Sequence, residues 1–180
     1  PKADIIKPKS FVSSSVLGDL NSQWYKIAVS DDGIYKIDRN FLASIGVDVN
    51  SLNPLHINIY GNGSGKLPEL NSTFREDDLV KNDIYVFGES DGIFDADDYI
   101  LFHAWGPNRV KQLNSSLVRE MNIYSTTSYY FIRISNLEPP ARIQNQVSAL
   151  SPNTSVNSYN FFTVYEKELF YSPIRCMCEY

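Results

Sequence analysis

The chain is poor in the side chains that do chemistry. Its 180 residues include two histidines, His56 and His103, and two cysteines, Cys176 and Cys178. Neither histidine has a Ser or Cys nucleophile nearby in sequence, so no catalytic residue is expected. There is no basic excess either: 16 Lys and Arg face 21 Asp and Glu, for a net charge of −5. That removes the cationic footprint on which nucleic-acid binding depends. No apolar run approaches the roughly 20 residues that cross a bilayer, so no membrane span is expected. No basic segment followed by an apolar stretch opens the chain, which is therefore expected to begin past any targeting signal or never to have had one. Cys176-Met177-Cys178 places one residue between two thiols, too close for an unstrained bridge. A metal site built on that pair would need the distant histidines, so both thiols are expected in a frayed end.

What is present is enough for one compact core: 43% hydrophobic and 13% aromatic residues in a length that suits a single domain. The charge is concentrated. Nine acids and one base, Lys81, lie between Glu76 and Asp98, so this window alone carries −8 and the rest of the chain is near neutral. A solvated face is the simplest reading of such a run.

Residues 1–22 read as an extended lead-in, with a Ser-rich stretch at Ser13-Ser14-Ser15. Regular structure is expected from Trp24. The runs Trp24–Ser30 and Ile34–Asp38 flank Asp31-Asp32-Gly33 and predict a β-hairpin. Asp38 as N-cap, apolar residues at 41, 42 and 45, and Gly46 as a stop predict one helix of about two turns. Leu55–Tyr60, Asp83–Phe87 and Tyr99–Trp105 read as strands bounded by turn residues. Beyond a polar interval, Met121–Tyr124 and Tyr129–Ile134 form a further pair, then a weaker strand at Arg142–Val147 and a final aromatic segment at Tyr159–Tyr171. About eight short strands with one helix and no alternation of strand and helix predict a mainly β protein, an antiparallel β-sandwich over residues 23–171. Residues 172–180 form a separate tail.

Three features bear on function. Gly61-Asn62-Gly63-Ser64-Gly65-Lys66 has the glycines and lysine of a phosphate loop but not its spacing, and Leu67-Pro68 blocks the helix that should follow; a strand-connecting turn is expected. Glu89-Ser90-Asp91-Gly92-Ile93-Phe94-Asp95-Ala96-Asp97-Asp98 overlays an EF-hand loop on Gly92, with Glu89, Asp91, Asp95 and Asp98 at liganding positions. Its first position would be Phe87, so the loop is half a cage. Two readings stand: Ca²⁺ held by those four carboxylates, or an Asx turn in which Asp91 and Asp95 cap backbone amides. The twelve tyrosines could stack on sugars, yet most alternate within predicted strands, where core packing is the expectation. His103, alternating with Leu101, Phe102 and Trp105, is expected as a partly buried structural residue, and His56 likewise.

Several stretches, in order, carry a resemblance. They are Trp24-Tyr25-Lys26-Ile27-Ala28-Val29, Gly33-Ile34-Tyr35-Lys36-Ile37, Ile59-Tyr60-Gly61-Asn62-Gly63, Leu67-Pro68-Glu69, Asp77-Asp78-Leu79, Gly88 through Phe94, Asp98 through Phe102, and Gly106-Pro107. Together they resemble the N-terminal region of the type IX secretion sortases of Bacteroidetes, members of the gingipain cysteine peptidase family, over residues 23 to 170. The resemblance implies a prodomain-like β module. Its partners would be the downstream gingipain-like catalytic domain and other secretion-system surface proteins, at the cell surface on the exterior of the outer membrane. It assigns no catalytic residue here, because the family's peptidase domain follows this region. After Tyr165-Glu166-Lys167-Glu168 the family pattern would continue through a Gly-Arg and a Trp-x-Gly-Glu stretch, whereas this chain reads Ser172 to Tyr180.

Overall fold

In a computed structural model, the described residues are 15–148, apart from 64, 71 and 115, together with 154 and 157. Residues 1–14 of the lead-in, the segment Tyr159–Tyr171 and the tail with both cysteines lie outside them. The chain divides into two compact units, residues 1–144 and 145–180. The fold below is that of the first.

Nine strands are described: β1 (Gln23–Val29), β2 (Gly33–Asp38), β3 (Ile57–Tyr60), β4 (Lys81–Asn82), β5 (Tyr85–Phe87), β6 (Tyr99–Ala104), β7 (Arg109–Leu113), β8 (Ser116–Glu120) and β9 (Ser128–Ile134). They form a four-stranded sheet in the order β1-β9-β3-β4, a three-stranded sheet in the order β2-β6-β5, and the ribbon β7-β8. Every strand pairing is antiparallel. The fold is the expected antiparallel, sandwich-like β architecture with one short helix, α1 (Arg39–Ser44). Asp38 caps that helix, its carboxylate accepting from the Phe41 N–H at 2.8 Å, and Gly46 follows at φ +91°. Both signals act as the sequence indicates.

Alternation fills the core. Ile27, Val29, Ile57, Ile59, Tyr130 and Ile132 face inward from the four-stranded sheet. Ile37, Val86, Ile100, Phe102 and Ala104 come from the three-stranded sheet, and Leu42 of α1 plugs one side. The Phe102 and Tyr130 rings join the two layers edge to face at 5.5 Å. Full burial of each large apolar side chain contributes about 1.5–3 kcal/mol.

The predicted hairpin is corrected. β1 and β2 are strands, but β1 pairs with β9 and β2 with β6, so residues 30–32 carry the chain from one sheet to the other. The crossing is held against Gly106, whose N–H donates to Asp32 Oδ1 at 2.6 Å and where a Cβ would meet the Asp31 Cα at 2.8 Å. Met121–Tyr124 is not a strand. Asn108 Oδ1 accepts from the Asn122 N–H and Asn122 Oδ1 from the Tyr124 N–H, both at 3.0 Å, so side chains take the amides a ladder would need. The strand pair in this region is β7-β8, in what reads as a polar interval, turning at Asn114 with φ +56°. Of the strand expected at Arg142–Val147, one parallel bridge remains, Ile84 with Arg142.

A buried cation pins the outside of the four-stranded sheet. Arg133 is 7% exposed; it pairs with Asp19 at 2.6 Å and with Glu138, and its guanidinium lies over the Trp24 ring at 5.4 Å. Glu138 also accepts from Tyr60 Oη and pairs with Lys81 at 2.7 Å. Burial and the Glu138 carboxylate push the Tyr60 phenol up from 10.0 to about 12. A raised folded-state value stabilises the fold fully below the ordinary tyrosine pKa, and that share is lost as pH rises through about 12. Absorbance titration at 295 nm is expected to show Tyr60 ionising at about pH 12, and its value is expected to fall part of the way back in Glu138→Leu protein, burial still holding it above the ordinary range. Ionisation of all phenols near 10 would refute the network.

Candidate functional site

Three of the four carboxylates of the acidic loop have separate partners, and the fourth, Asp95, points to solvent. β5 ends at Phe87, and Gly88 (φ +86°) and Gly92 (φ +76°) bracket a single 3-10 turn, Glu89–Asp91. Glu89 turns toward the strap leaving β9 and pairs with Arg142 Nε at 2.7 Å. Asp91 Oδ1 accepts from the Ile93 N–H at 3.0 Å, an Asx turn. Asp98, buried at 6% exposed, accepts from the Asp95 N–H at 2.8 Å, so it is Asp98 rather than Asp95 that caps a backbone amide. Asp95 is exposed. Among the described residues no three His, Cys, Asp or Glu side chains converge as a metal site. The glycine-spaced loop serves as the strand connection: the Gly61 N–H donates to Val80 O, and Lys66 pairs with Glu69 at 2.5 Å.

Arg142 organises this end of the molecule. Nη1 donates to Ile57 O at 3.1 Å and Nη2 to Pro54 O at 2.9 Å, while Nε holds Glu89. One guanidinium thus ties the strap to the entry of β3 and to the turn after β5. Sequence reading places Arg142 in a weak strand and passes over it, because its three partners lie 53 to 88 residues away.

The surface that stands out is the outer face of the three-stranded sheet. Period-two alternation sends Tyr35, Ile37, Val86, Ile100 and Phe102 to the core, and it therefore sends Ile34, Lys36, Tyr85, Phe87, Tyr99 and Leu101 outward. Ile34 is 73% exposed, Phe87 45% and Tyr85 40%. Phe87 and Tyr99 stack at 5.1 Å with their planes 7° apart, Tyr85 lies 6.5 Å from Tyr99, and Lys36 Nζ sits 4.5 Å from the Tyr99 ring centre. His103 is on this face too, exposed rather than partly buried as the sequence suggests, with its ring edge against Trp105 at 4.6 Å. The tyrosines accordingly divide: Tyr60 and Tyr130 are buried, whereas Tyr85, Tyr124 and Tyr129 are exposed. Alternation alone does not say which face of a strand meets the core and which meets solvent when both are apolar.

Fold and surface together define an antiparallel β-sandwich that presents an aromatic sheet face. No family model matches the chain, and no curated protein matches it. Among solved structures it is similar to dimeric latent PorU from Porphyromonas gingivalis, with 26% identity and a TM-score of 0.50 over 72% of this chain. The matched part spans 11% of the PorU chain. The fold is PorU-like, and the likeness concerns a small portion of a much longer protein. No described helix is long and apolar enough to cross a membrane.

Proposed function

We propose that this chain is a non-catalytic, prodomain-like module of a type IX secretion sortase. It docks through the outer face of the three-stranded sheet onto the gingipain-like peptidase domain of such a protein, on the exterior of the outer membrane, and through that contact serves surface protein secretion and attachment. The observation that carries the reading is the Tyr85, Phe87 and Tyr99 cluster, with Leu101 and Ile34 on the same sheet face. Scattered exposed apolar residues are ordinary, but a cluster of them on one sheet face, rimmed by Lys36 and His103, marks an interface. Stacked aromatics are what the buried centre of an interface uses, since they supply large area with few rotors to freeze. The likeness to part of PorU, described in its structure as latent, supports the same reading, because a module that covers a peptidase suits latency.

The test is binding to a separately expressed peptidase domain of PorU, followed by biolayer interferometry. Wild-type chain is expected to bind, and Ile34→Lys/Phe87→Lys is expected to weaken binding at least about tenfold, since each lysine would bury a charge at the centre of the contact. Both positions face solvent, so the variant should stay folded and lose little beyond the Phe87–Tyr99 stack, about 0.5–1.5 kcal/mol. No binding by wild type, or equal binding by the variant, would overturn the docking role.

A further inference from the structure

We propose that a cleft at one end of the sandwich, separate from the aromatic face, is a binding site for a neutral pyranose ring. The cleft has a volume of about 330 Å³, at the lower limit of small-ligand pockets, which is room for one ring rather than an extended ligand. It lies where β1 begins, β9 ends and the 3-10 turn before β3 meets the loop after α1. Its apolar floor is Val47, Leu52 and Ile134. Four carboxamides from three separate segments surround that floor: Asn21, Gln23, Asn53 and Asn136.

The walls are fixed before any ligand arrives. Asp48 accepts from the Asn50 N–H at 3.1 Å and from Ser51 Oγ at 2.7 Å, Asn53 Oδ1 accepts from the Leu55 N–H at 2.9 Å, and Ser135 Oγ accepts from the Leu137 N–H at 3.2 Å. The carboxamides of Asn21 and Asn136, the Nε2 of Gln23, the Nδ2 of Asn53 and the imidazole of His56 are not used by the described chain. Donors and acceptors alternate within each carboxamide, which matches vicinal hydroxyls that must each donate and accept. No lysine or arginine lines the cleft, so nothing there neutralises a phosphate or carboxylate. A pyranose offers an apolar ring face for the floor and hydroxyls at its edge for the rim. No Phe, Tyr or Trp ring lines the cleft, so hydrogen bonds and a small apolar floor set the affinity and millimolar binding is expected.

The experiment is a ¹H–¹⁵N correlation spectrum of the chain titrated with methyl β-D-glucopyranoside, with methyl β-D-galactopyranoside, and with sodium phosphate. Either sugar is expected to move the side-chain amide signals of Asn21, Asn53 and Asn136 along saturating curves. Asn21→Ala/Asn136→Ala is expected to weaken that binding about tenfold, a loss of two hydrogen-bonding groups, with the melting temperature unchanged because neither side chain supports the fold. No saturating shift with either sugar at about 100 mM, far above a millimolar dissociation constant, would overturn the proposal. So would shifts untouched by the double variant, or equal shifts with phosphate. The docking face shares no residue with the cleft, so a failure here leaves that reading intact and the reverse.

Discussion

Replacing Arg142 by methionine is expected to destabilise the domain by about 2–4 kcal/mol, because it removes one partner of a half-buried ion pair and the donor to two backbone carbonyls. The side chain is 12% exposed and its partner Glu89 28%, so the guanidinium is largely, and the carboxylate partly, withdrawn from water. Methionine keeps the stem's packing but leaves the Glu89 carboxylate and the carbonyls of Pro54 and Ile57 without their donor. For a domain of this size the melting temperature should fall by roughly 10 °C or more. Glu89→Gln alone should cost less, about 1–2 kcal/mol, since the amide oxygen still accepts from the guanidinium. Urea denaturation of the two single variants and the double variant gives the coupling directly, and a coupling above about 1 kcal/mol is expected between groups in contact. A loss below about 1 kcal/mol for Arg142→Met would show that the strap is held by its backbone bridge to Ile84 instead.

Gly88→Ala is expected to cost about 2–5 kcal/mol, combining two effects. The first is local: Gly88 sits at φ +86°, where an L side chain costs roughly 1–2 kcal/mol. The second is tertiary: a Cβ there would lie 1.7 Å from Asp98 Oδ1 and 2.3 Å from Asp98 Cγ. Asp98 is buried and short, and it caps the Asp95 N–H, so moving it leaves a buried carboxylate and an amide unpaired, about 1–3 kcal/mol. Thermal melting of Gly88→Ala beside Gly18→Ala is a clean comparison, because an added Cβ at Gly18 meets nothing within 4 Å. Similar melting points for the two variants would refute the account.

The acidic segment shows how far sequence reasoning reaches. Gly92 as a turn glycine and Asp91 as an Asx-turn residue are local facts, and both are legible in Asp91-Gly92-Ile93. A liganding set is a different kind of statement, because it needs all four carboxylates to face one point. Glu89 faces Arg142 and Asp98 faces its own loop. Neither partner can be read from spacing, since one lies 53 residues away and the other depends on Gly88 allowing a close approach. Position in a pattern gives candidate ligands, whereas tertiary partners decide which oxygens remain free.

Strands show the same division. The period-two runs at Trp24–Val29, Ile34–Asp38, Tyr99–Ala104 and Tyr129–Ile134 are strands because alternating apolar residues can bury one face of a pleat. Asp38 and Gly46 bound α1 because capping is settled within one helical turn. Pairing is not local. β1 and β2 look like a hairpin, yet the partner of β1 is β9, about a hundred residues on, and only the joint packing of Ile27, Ile59, Ile132 and Phe102 in one core selects it.

The sequence by itself therefore determined the class, an antiparallel β protein with one capped helix, along with the poverty in histidine and cysteine and the concentration of charge between Glu76 and Asp98. Each of these follows from composition or from contacts within a few residues. Only the tertiary structure decided that Glu89 pairs with Arg142, that Asp98 is buried as the cap of a backbone amide, and that one aromatic face is left in solvent. Only it brings four carboxamides to one cleft. Those outcomes depend on which distant segments share the limited interior, and a buried charge or an apolar ring takes its role from whatever partner that competition brings within reach.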